Sequence, residues 1–205
     1  MRDVLDADPV FEHSLRRFKD AGVRPSFFVI DDPRFAALRA RLQSAGYVTM
    51  DTMEVMATSG VERGERRSVE ITGVASDVDE WVAAYLSSFY GDSGPEAEVE
   101  AAARRAVKDK DASLVVARQG SDVVGEMALF RREGLLGAYC VGTVPERRRS
   151  GVASEMLNYA SAKADEQGLT LVLQTFAEDH TEPFYLKRGF KTIFRKSVLS
   201  AGAEK

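Results

Sequence analysis

Residues 136–154, which read LGAYCVGTVPERRRSGVAS, carry the strongest structural signal in the sequence. Its first part, Leu136 to Val144, is mostly apolar and predicts a buried strand. A turn of basic and small residues follows, and the apolar spacing after Gly151 predicts a helix that begins at once. A strand that leads through such a turn directly into a helix is typical of sites that bind anions.

We call residues 148–154 the phosphate turn, because their composition predicts an anion site. The first N–H groups of a helix have no partner within it and lie at the positive end of its dipole. Gly151 and Ala153 leave room for a pyrophosphate to approach these groups, and the arginines at 147–149 add charge and forked donors. The turn lacks the Lys-Ser/Thr pair of a P-loop and the G-x-G-x-x-G of a dinucleotide fold. A solvated basic turn and a nucleic-acid patch are the alternatives.

The composition of the whole chain limits the functions it can have. The 205 residues carry a net charge of -4 and 44% of them are hydrophobic, which is typical of a globular protein. Proteins that coat nucleic acids are normally basic, so we expect no nucleic-acid partner. Cys140 is the only cysteine, which excludes an intramolecular disulfide, and with two histidines besides the chain is expected to hold no metal.

Targeting and membrane segments are not predicted. The first ten residues, MRDVLDADPV, contain no apolar region of the kind found in signal peptides. No apolar run approaches the ~18 residues that a transmembrane helix needs. We therefore expect a cytoplasmic protein without a membrane partner.

The first part of the chain predicts a strand, a helix and a second strand. The apolar run at 26–30 is the first strand. Asp32 is a natural cap for the helix, Pro33 suits its first position, and Gly46 can end it in a left-handed conformation. The stretch from Tyr47 to Met56 is the second strand.

A polar, glycine-bearing stretch at 57–68 predicts a linker that divides the chain into residues 1–62 and 63–205. The second segment predicts the order β-α-α-β-β-β-α-β-α-β, which is a mixed α/β sheet. The strand–helix–strand order of the first segment recurs at 169–199. Chance similarity and a partial, degenerate copy of the second segment both explain this recurrence.

Two motifs resemble the signatures of one family. The run Arg148-Arg149-Ser150-Gly151-Val152-Ala153 resembles the Arg/Gln-x-x-Gly-x-Gly/Ala signature of the GNAT superfamily of N-acetyltransferases. Residues 184–190, FYLKRGF, are similar to the family's F/L-Y-x-x-x-G-F motif. Both motifs lie on the expected elements in the expected order, and the resemblance covers about residues 69–199.

The resemblance implies an acetyl-CoA-dependent N-acetyltransferase fold, in which two central parallel strands separate and acetyl-CoA lies in the gap. Here the strand that ends at Val144 and the strand from Leu171 to Phe176 would separate. Main-chain groups of Thr143 and Val144 would pair with the pantetheine arm, and no metal is implied. The pyrophosphate would be held by the phosphate turn, which comprises Arg148, Arg149, Ser150, Gly151, Val152, Ala153 and Ser154.

The resemblance also implies a role for Tyr185, which matches the family tyrosine near the thioester sulfur. Tyr185 would be the general acid that protonates the departing thiolate, as a phenol of pKa about 10 can. The alternative is a tyrosine that only packs against acetyl-CoA. Glu178 stands seven residues earlier, where the family often has Asn, and this departure puts a usual contact with acetyl-CoA in doubt.

The general base has a candidate in Glu126, which lies in the otherwise apolar strand from Val123 to Phe130. An amine acceptor is mostly protonated at pH 7, and a carboxylate can take its proton before attack. The alternative for Glu126 is a place on the solvent face of a half-buried strand. A histidine also suits this role, but His180 is expected to be a solvated loop residue. Cys140 is expected to be a buried strand residue and not a nucleophile.

Phe89 and Tyr90 are the candidates for the acceptor site. They lie beside the Gly91-Asp92-Ser93-Gly94 turn, in a region that borders the acceptor in the family. Trp81 and Tyr85 are expected to pack in the core. The acceptor would be the amine of a small molecule or of a peptide, and a homodimer is compatible with the sequence.

The sequence therefore predicts transfer of an acetyl group from acetyl-CoA to this amine by direct attack in a ternary complex. The alternative is a non-catalytic acyl-CoA-binding regulatory module. Glu178 and the lack of an assigned base leave this alternative open.

Overall fold

The computed structural model describes residues 8–23, 25–61, 69–74 and 77–201. The chain forms two compact units. Unit 1 comprises Met1–Val55, Thr175–Glu182 and Thr192–Lys205, and unit 2 comprises Met56–Gln174 and Pro183–Lys191. Neither unit is one continuous segment. The boundary predicted after residue 62 falls outside the described residues and stays a prediction, as does the partial-copy interpretation of the first segment.

Helices and strands alternate along most of the chain. Within the described ranges the helices are α1 (Asp8–Asp20), α2 (Ala36–Ser44), α3 (Asp79–Phe89), α4 (Glu96–Ala106), α5 (Val152–Glu166) and α6 (Glu182–Leu186). The strands are β1 (Ser26–Ile30), β2 (Tyr47–Thr58), β3 (Glu70–Gly73), β4 (Ala112–Gln119), β5 (Asp122–Arg132), β6 (Leu135–Thr143), β7 (Thr170–Phe176) and β8 (Lys191–Ala201). The order from β3 onward is the predicted one, which confirms the mixed α/β class. None of these helices has the length and apolar character needed to cross a membrane.

Unit 1 is built on strands that come from distant parts of the chain, and of these β1 and β8 are antiparallel. β1 pairs with β8 from Ser26–Ser200 to Ile30–Lys196, and β2 lies on the other side of β8. Because side chains alternate along a strand, one face of these strands collects the apolar residues that pack with α2. The buried core of this unit consists of Val29, Leu42, Tyr47 and Leu199.

The sequence signals around α2 are confirmed. Asp32 Oδ1 accepts the Arg34 N–H at 2.8 Å, and the chain makes a short 3-10 turn over Pro33–Phe35 before α2 begins. Gly46 has a φ of 86°. This left-handed conformation ends the helix and turns the chain into β2.

The strand order in unit 2 is β7-β6-β5-β4-β3. β6 and β7 are parallel, and the other neighbours are antiparallel. Buried side chains alternate along β4, so that Val115 and Ala117 join the core beneath α5, whereas Leu114 and Val116 join the core beneath α3 and α4. The sheet of unit 2 therefore has an α5 face and an α3 face, both covered by helices.

Candidate functional site

β6 and β7 separate at one end of their pairing. The parallel pairs run from Leu135–Thr170 to Ala138–Leu173, and no further pair between these strands is present among the described residues. β6 continues beside β5 as far as Thr143. The edge of β6 that faces away from β5 is therefore open beyond Ala138, as the resemblance implied.

A bulge interrupts β6 just beyond the last parallel pair. Two residues of β6, Cys140 and Val141, oppose the single residue Met127 of β5. Cys140 has a φ of 52°, a left-handed conformation that costs energy in any residue with a side chain. The extra residue changes which face the side chains reach, since Ala138 packs on the α5 face and Cys140 on the α3 face.

Glu126 is fully buried on the α3 face. The alternative that the sequence left open, a position on the solvent face of the strand, is therefore wrong. Ser88 of α3 donates its hydroxyl to Glu126 Oε2 at 3.1 Å. Glu126 Oε1 has no hydrogen-bond partner within the described part of the chain. Burial raises the pKa of Glu126 to about 8, while the hydrogen bond from Ser88 lowers it. Such a carboxyl can accept a proton close to neutral pH.

Gly142 of β6 provides the space for this carboxyl. It stands opposite Glu126 in the β5–β6 pairing. A Cβ atom at Gly142 would collide with the Glu126 carboxyl and lie 2.8 Å from Ser88 Cβ. No motif marks Ser88 or Gly142 in the sequence, although an isolated glycine within a strand is a general signal of close approach.

Two other titratable groups influence the surroundings of Glu126, Tyr85 from α3 and Cys140 from β6. Burial is the main cause that raises the pKa of both, that of Cys140 to about 11, and the charge of Glu126 adds to it. Both groups therefore stay protonated near neutral pH. This environment does not favour a Cys140 thiolate, the form in which cysteine is a nucleophile.

Aromatic side chains extend from the core to the surface at the end of α3. Trp81 is buried and donates its indole N–H to the Met127 carbonyl at 3.1 Å, as expected for a core residue. Tyr85 stacks on Trp81 with 5.3 Å between ring centroids and also contacts Phe89 and Tyr90. Phe89 and Tyr90 are 50% and 48% exposed, so they form an accessible aromatic wall.

The phosphate turn has the main-chain geometry that an anion site needs. Arg149 and Gly151 have φ values of 62° and 92°, and α5 begins at Val152 directly after them. Gly151 cannot cap the helix with a side chain. Among the described residues no N–H of α5 donates to the Ser150 hydroxyl, which itself donates to the Arg147 carbonyl at 2.5 Å. The first N–H groups of α5 therefore remain for an external acceptor, and the pyrophosphate contact of this turn stays a prediction.

The arginines of this region differ in what they contact. Arg147 lies 3.8 Å from the Asp122 carboxylate, whereas Arg148 and Arg149 form no ion pair with a carboxylate of the described residues. Arg148 donates from Nη2 to the Ser88 carbonyl at 2.9 Å and from Nε to the Thr143 carbonyl at 3.5 Å. The side chain of Arg148 thus reaches the end of α3.

The main chain of Val144 is largely engaged within the protein. Its N–H donates to the Val124 carbonyl at 3.1 Å, and its carbonyl accepts the Arg147 N–H at 2.9 Å. Only the second lone pair of that carbonyl remains for another donor. The pantetheine contacts of Thr143 and Val144 stay predictions.

Tyr185 lies on the side of the sheet opposite Glu126. It is half-buried on α6 and packs against the core of the α5 face, with its ring 5.9 Å from that of Phe190. Arg188 joins this region to α5 by donating from Nε and Nη2 to the Ser154 hydroxyl at 3.2 and 2.5 Å. The Ser154 hydroxyl accepts both bonds and keeps its own proton to donate.

The acidic loop after β7 shows the solvated character expected of it. Glu178, Asp179 and His180 are exposed and belong to unit 1. Among the residues that the structure describes, no group of three or more His, Cys, Asp or Glu side chains could hold a metal ion.

Comparisons with known proteins show which proteins this chain resembles in sequence and in fold. The family model of the acetyltransferase (GNAT) domain matches residues 88–204. A GCN5-related N-acetyltransferase from Kribbella flavida is similar in structure, with a TM-score of 0.72 and 19% identity over 95% of this chain and 74% of that one. A functionally unknown conserved protein from Staphylococcus epidermidis has a TM-score of 0.73 and 15% identity over 96% of this chain and 79% of that one. At these identities the likeness shows the fold alone. No curated protein matches the chain.

Proposed function

Because the chain belongs to the GNAT acetyltransferase family, we propose that it transfers an acetyl group from acetyl-CoA to an amine by direct attack in a ternary complex. Acetyl-CoA supplies the acetyl group as an activated thioester. The observation that carries the proposal is the phosphate turn, which lies between the open edge of β6 and the start of α5. A cytoplasmic location and a homodimeric assembly stay predictions from the sequence.

The phosphate turn would hold the pyrophosphate mainly through its main chain. The N–H groups of Val152, Ala153 and Ser154 are the first of α5 and have no partner within the helix. Arg149 adds a positive charge that no described carboxylate neutralises. The open edge of β6 at Thr143 would orient the pantetheine arm as an added strand does.

Glu126 would act as general base by accepting the amine proton at Oε1, the oxygen without a partner among the described residues. Its pKa of about 8 lies near the pH at which base catalysis is most efficient. The aromatic wall of Phe89 and Tyr90 belongs to the same end of α3 as Ser88, which contacts Glu126. We infer that the acceptor binds along this wall and passes its proton to the buried Glu126 directly or through water, and that its amine belongs to a small molecule or a peptide.

Tyr185 would act as general acid by donating its phenolic proton to the departing sulfur. Main-chain N–H groups on the open edge of β6 would stabilise the negative charge that develops on the carbonyl oxygen. Tyr185 and Glu126 approach from opposite faces of the sheet. They would therefore act on one reacting group from two sides of the opening beyond Ala138–Leu173.

Calorimetry with CoA tests the binding half of the proposal. Gly151→Asp places a carboxylate at the N-terminus of α5, where it would occupy the anion site and repel the pyrophosphate. Because the interaction of a charge with a helix terminus is worth up to about 2 kcal/mol, CoA binding should weaken by about tenfold or more. Arg147→Ala removes a charge that already lies 3.8 Å from the Asp122 carboxylate, so it should change CoA binding much less. A chelator should have no effect. Equal losses in the two folded variants, or no binding by the parent, would contradict the proposal.

Thiol release with a panel of amines tests the catalytic half. The parent protein should turn over at least one amine, and Tyr185→Phe should lower kcat by about 10²–10⁴-fold, the usual contribution of general acid catalysis. Its CoA dissociation constant should stay the same, because the phenolic proton matters only in the transition state. CoA binding without turnover of any amine would favour the regulatory module instead. Unchanged kcat in Tyr185→Phe would leave Tyr185 a packing residue.

A further inference from the structure

We propose that Ser88 is a positioning residue for Glu126, and that Arg148 holds Ser88 in place through its main chain. This inference rests on the proposed role of Glu126 as general base. Arg148 belongs to the phosphate turn, which predicts a contact with pyrophosphate. Its side chain would instead help to position the buried Glu126 carboxyl through Ser88.

Ser88 makes two contacts that join separate parts of the site. It lies in the last turn of α3, where helix carbonyls have no partner within the helix. Its carbonyl accepts from Arg148 Nη2 at 2.9 Å, and its hydroxyl donates to Glu126 Oε2 at 3.1 Å. Ser88 is 8% exposed, so water competes little for either contact.

The direction of the Ser88 hydroxyl distinguishes it from an ordinary helical serine. Helical serines commonly donate to the carbonyl four residues earlier, as Ser44 of α2 does to Ala40 at 2.9 Å. Ser88 instead donates to a strand residue that is 38 positions away in sequence. This contact orients the carboxyl so that Oε2 is engaged and Oε1 is left for the proton.

Within the described part of the chain, the elements around Glu126 supply no other group that stabilises its ionised form. α3 contributes Tyr85 and β6 contributes Cys140, and burial keeps both neutral near neutral pH. β4 contributes Val116, which stands opposite Glu126 in the strand pairing. The hydrogen bond from Ser88 is the interaction that lowers the pKa of Glu126 against the effect of burial.

Arg148 fixes the position of Ser88 by connecting two carbonyls. Its fork reaches Ser88 at the end of α3 and Thr143 at the end of β6, the strand that also carries Gly142. A planar guanidinium can bridge two carbonyl oxygens in a fixed geometry, which a lysine cannot. Arg148 therefore sets the spacing of the two elements that enclose the carboxyl.

The test follows the carboxyl directly and needs no acetyl-CoA. The protein is labelled with [13Cδ]glutamate, and the titration of Glu126 is followed by NMR, with Glu126→Gln to assign its signal. The variants are Ser88→Ala, Ser88→Thr, Arg148→Ala and Arg148→Lys. Arg147→Ala is the matched control, because it removes the same charge one residue earlier without a contact to Ser88. Circular dichroism confirms that each variant is folded.

Ser88→Ala is expected to raise the titration midpoint of Glu126 by about one pH unit or more, the size of a lost hydrogen bond to a charged group. Ser88→Thr keeps the hydroxyl and should stay within about 0.5 units of the parent. Arg148→Ala and Arg148→Lys should both raise the midpoint, by less than Ser88→Ala, because neither bridges the two carbonyls. Arg147→Ala should leave it unchanged.

A midpoint that stays in place in folded Ser88→Ala overturns the proposal. If that variant does not fold, the two Arg148 variants decide, since each keeps the Ser88 side chain. A shift in Arg148→Ala without one in Arg148→Lys would mean that charge alone acts, and it would overturn the role of Arg148. The pH dependence of kcat/KM separates this inference from the proposed function. The NMR midpoint of Glu126 can move in a variant while the pKa seen in the pH dependence of kcat/KM stays in place. In that case Ser88 positions Glu126, but Glu126 is not the general base.

Discussion

Glu54 and Glu126 are both buried carboxylates on strands, and they differ in what lies beside them. Glu54, in unit 1, is 5% exposed and accepts from Arg195 Nε at 2.8 Å. Arg195 also lies 3.7 Å from Glu182. Glu126, in unit 2, has no cation in contact among the described residues and accepts one hydroxyl hydrogen bond.

A buried carboxyl group can serve two purposes, depending on whether a cation lies beside it. A carboxylate that is buried beside a guanidinium is part of an ion pair, and breaking that pair leaves an uncompensated charge. A carboxyl that is buried without a cation pays the full desolvation cost when it ionises, so its pKa rises and it binds a proton near neutral pH. The first arrangement stabilises structure, and the second is suited to proton transfer.

Catalytic activity should separate Glu126 from Glu54 most clearly. Glu126→Gln should lower kcat/KM by about 10²–10⁴-fold, the usual contribution of a general base. Glu54→Gln makes the same chemical change in unit 1 and should leave the folded enzyme within a few-fold of the parent. Thiol release at pH 8 with an amine that the parent accepts measures both. Comparable losses in the two variants would remove the functional distinction between them.

The pH dependence of stability should show the desolvation of Glu126. Its pKa is 4.5 in the unfolded reference and about 8 in the folded protein, so between these values the folded state binds more protons. Its contribution to stability is therefore full below 4.5 and is lost as pH rises through 8. Since one pKa unit corresponds to roughly 1.4 kcal/mol, the parent should lose several kcal/mol relative to Glu126→Gln.

Urea unfolding at pH 5, 6, 7 and 8 measures this difference, with Glu126→Gln as the reference at each pH. A constant difference between the two proteins across the series would mean that the Glu126 carboxyl is not desolvated as its burial implies.

Space around the Glu126 carboxyl can be removed without changing its chemistry. Gly142→Ala adds a methyl group that collides with the carboxyl, and overpacking of this kind costs about 1–3 kcal/mol. Activity should fall as well, because the carboxyl is displaced. Gly73→Ala, also in a strand of unit 2, meets nothing within 4 Å and should leave both properties nearly unchanged. Urea unfolding measures the stability of the two variants, and thiol release measures their activity. Equal stability and equal activity in Gly142→Ala and Gly73→Ala would contradict the close packing of Gly142 against the Glu126 carboxyl.

Loss of the Glu54–Arg195 ion pair in unit 1 should change stability only slightly. Arg195 is half exposed and can be solvated when its partner is removed, so Glu54→Gln should destabilise the protein by only about 1–2 kcal/mol. The exposed Glu178 of the same unit gives a matched control, since Glu178→Gln should change stability by less than about 0.5 kcal/mol. Thermal unfolding at pH 7 compares them. An unchanged stability in Glu54→Gln would show that the pair contributes nothing.

The features that the sequence predicted are those set by neighbouring residues. Asp32 and Gly46 mark the limits of the α2 region, and the phosphate turn joins a strand to a helix within a few positions. Such signals depend on local backbone chemistry and remain visible without a structure. α1 was missed, although Phe11, Leu15 and Phe18 stand at helical spacing within it.

The features that the sequence did not predict depend on distant contacts. Strand periodicity alone does not decide whether the Glu126 side chain is buried or faces solvent. On the neighbouring strand β6, the bulge at Cys140 changes the alternation of side chains between the two faces. The pairing of Ser88 with Glu126 joins residues on different elements, and the reach of Arg148 to α3 has no motif. Local rules give no information on such contacts, because tertiary packing decides them.

The discontinuous make-up of unit 1 has a consequence for how the protein acquires its structure during synthesis. Ser26 of β1 donates its hydroxyl to Ser200 of β8, which lies 174 residues later in the chain. Among the described strands, β1 has β8 as its neighbour in the sheet. Until β8 leaves the ribosome, β1 exposes unpaired edges that can join another chain. β4, β5 and β6 instead pair with their sequence neighbours and can form early. β1 is thus made long before its partner β8, and it stays unprotected while Met56–Gln174 of unit 2 is being synthesised.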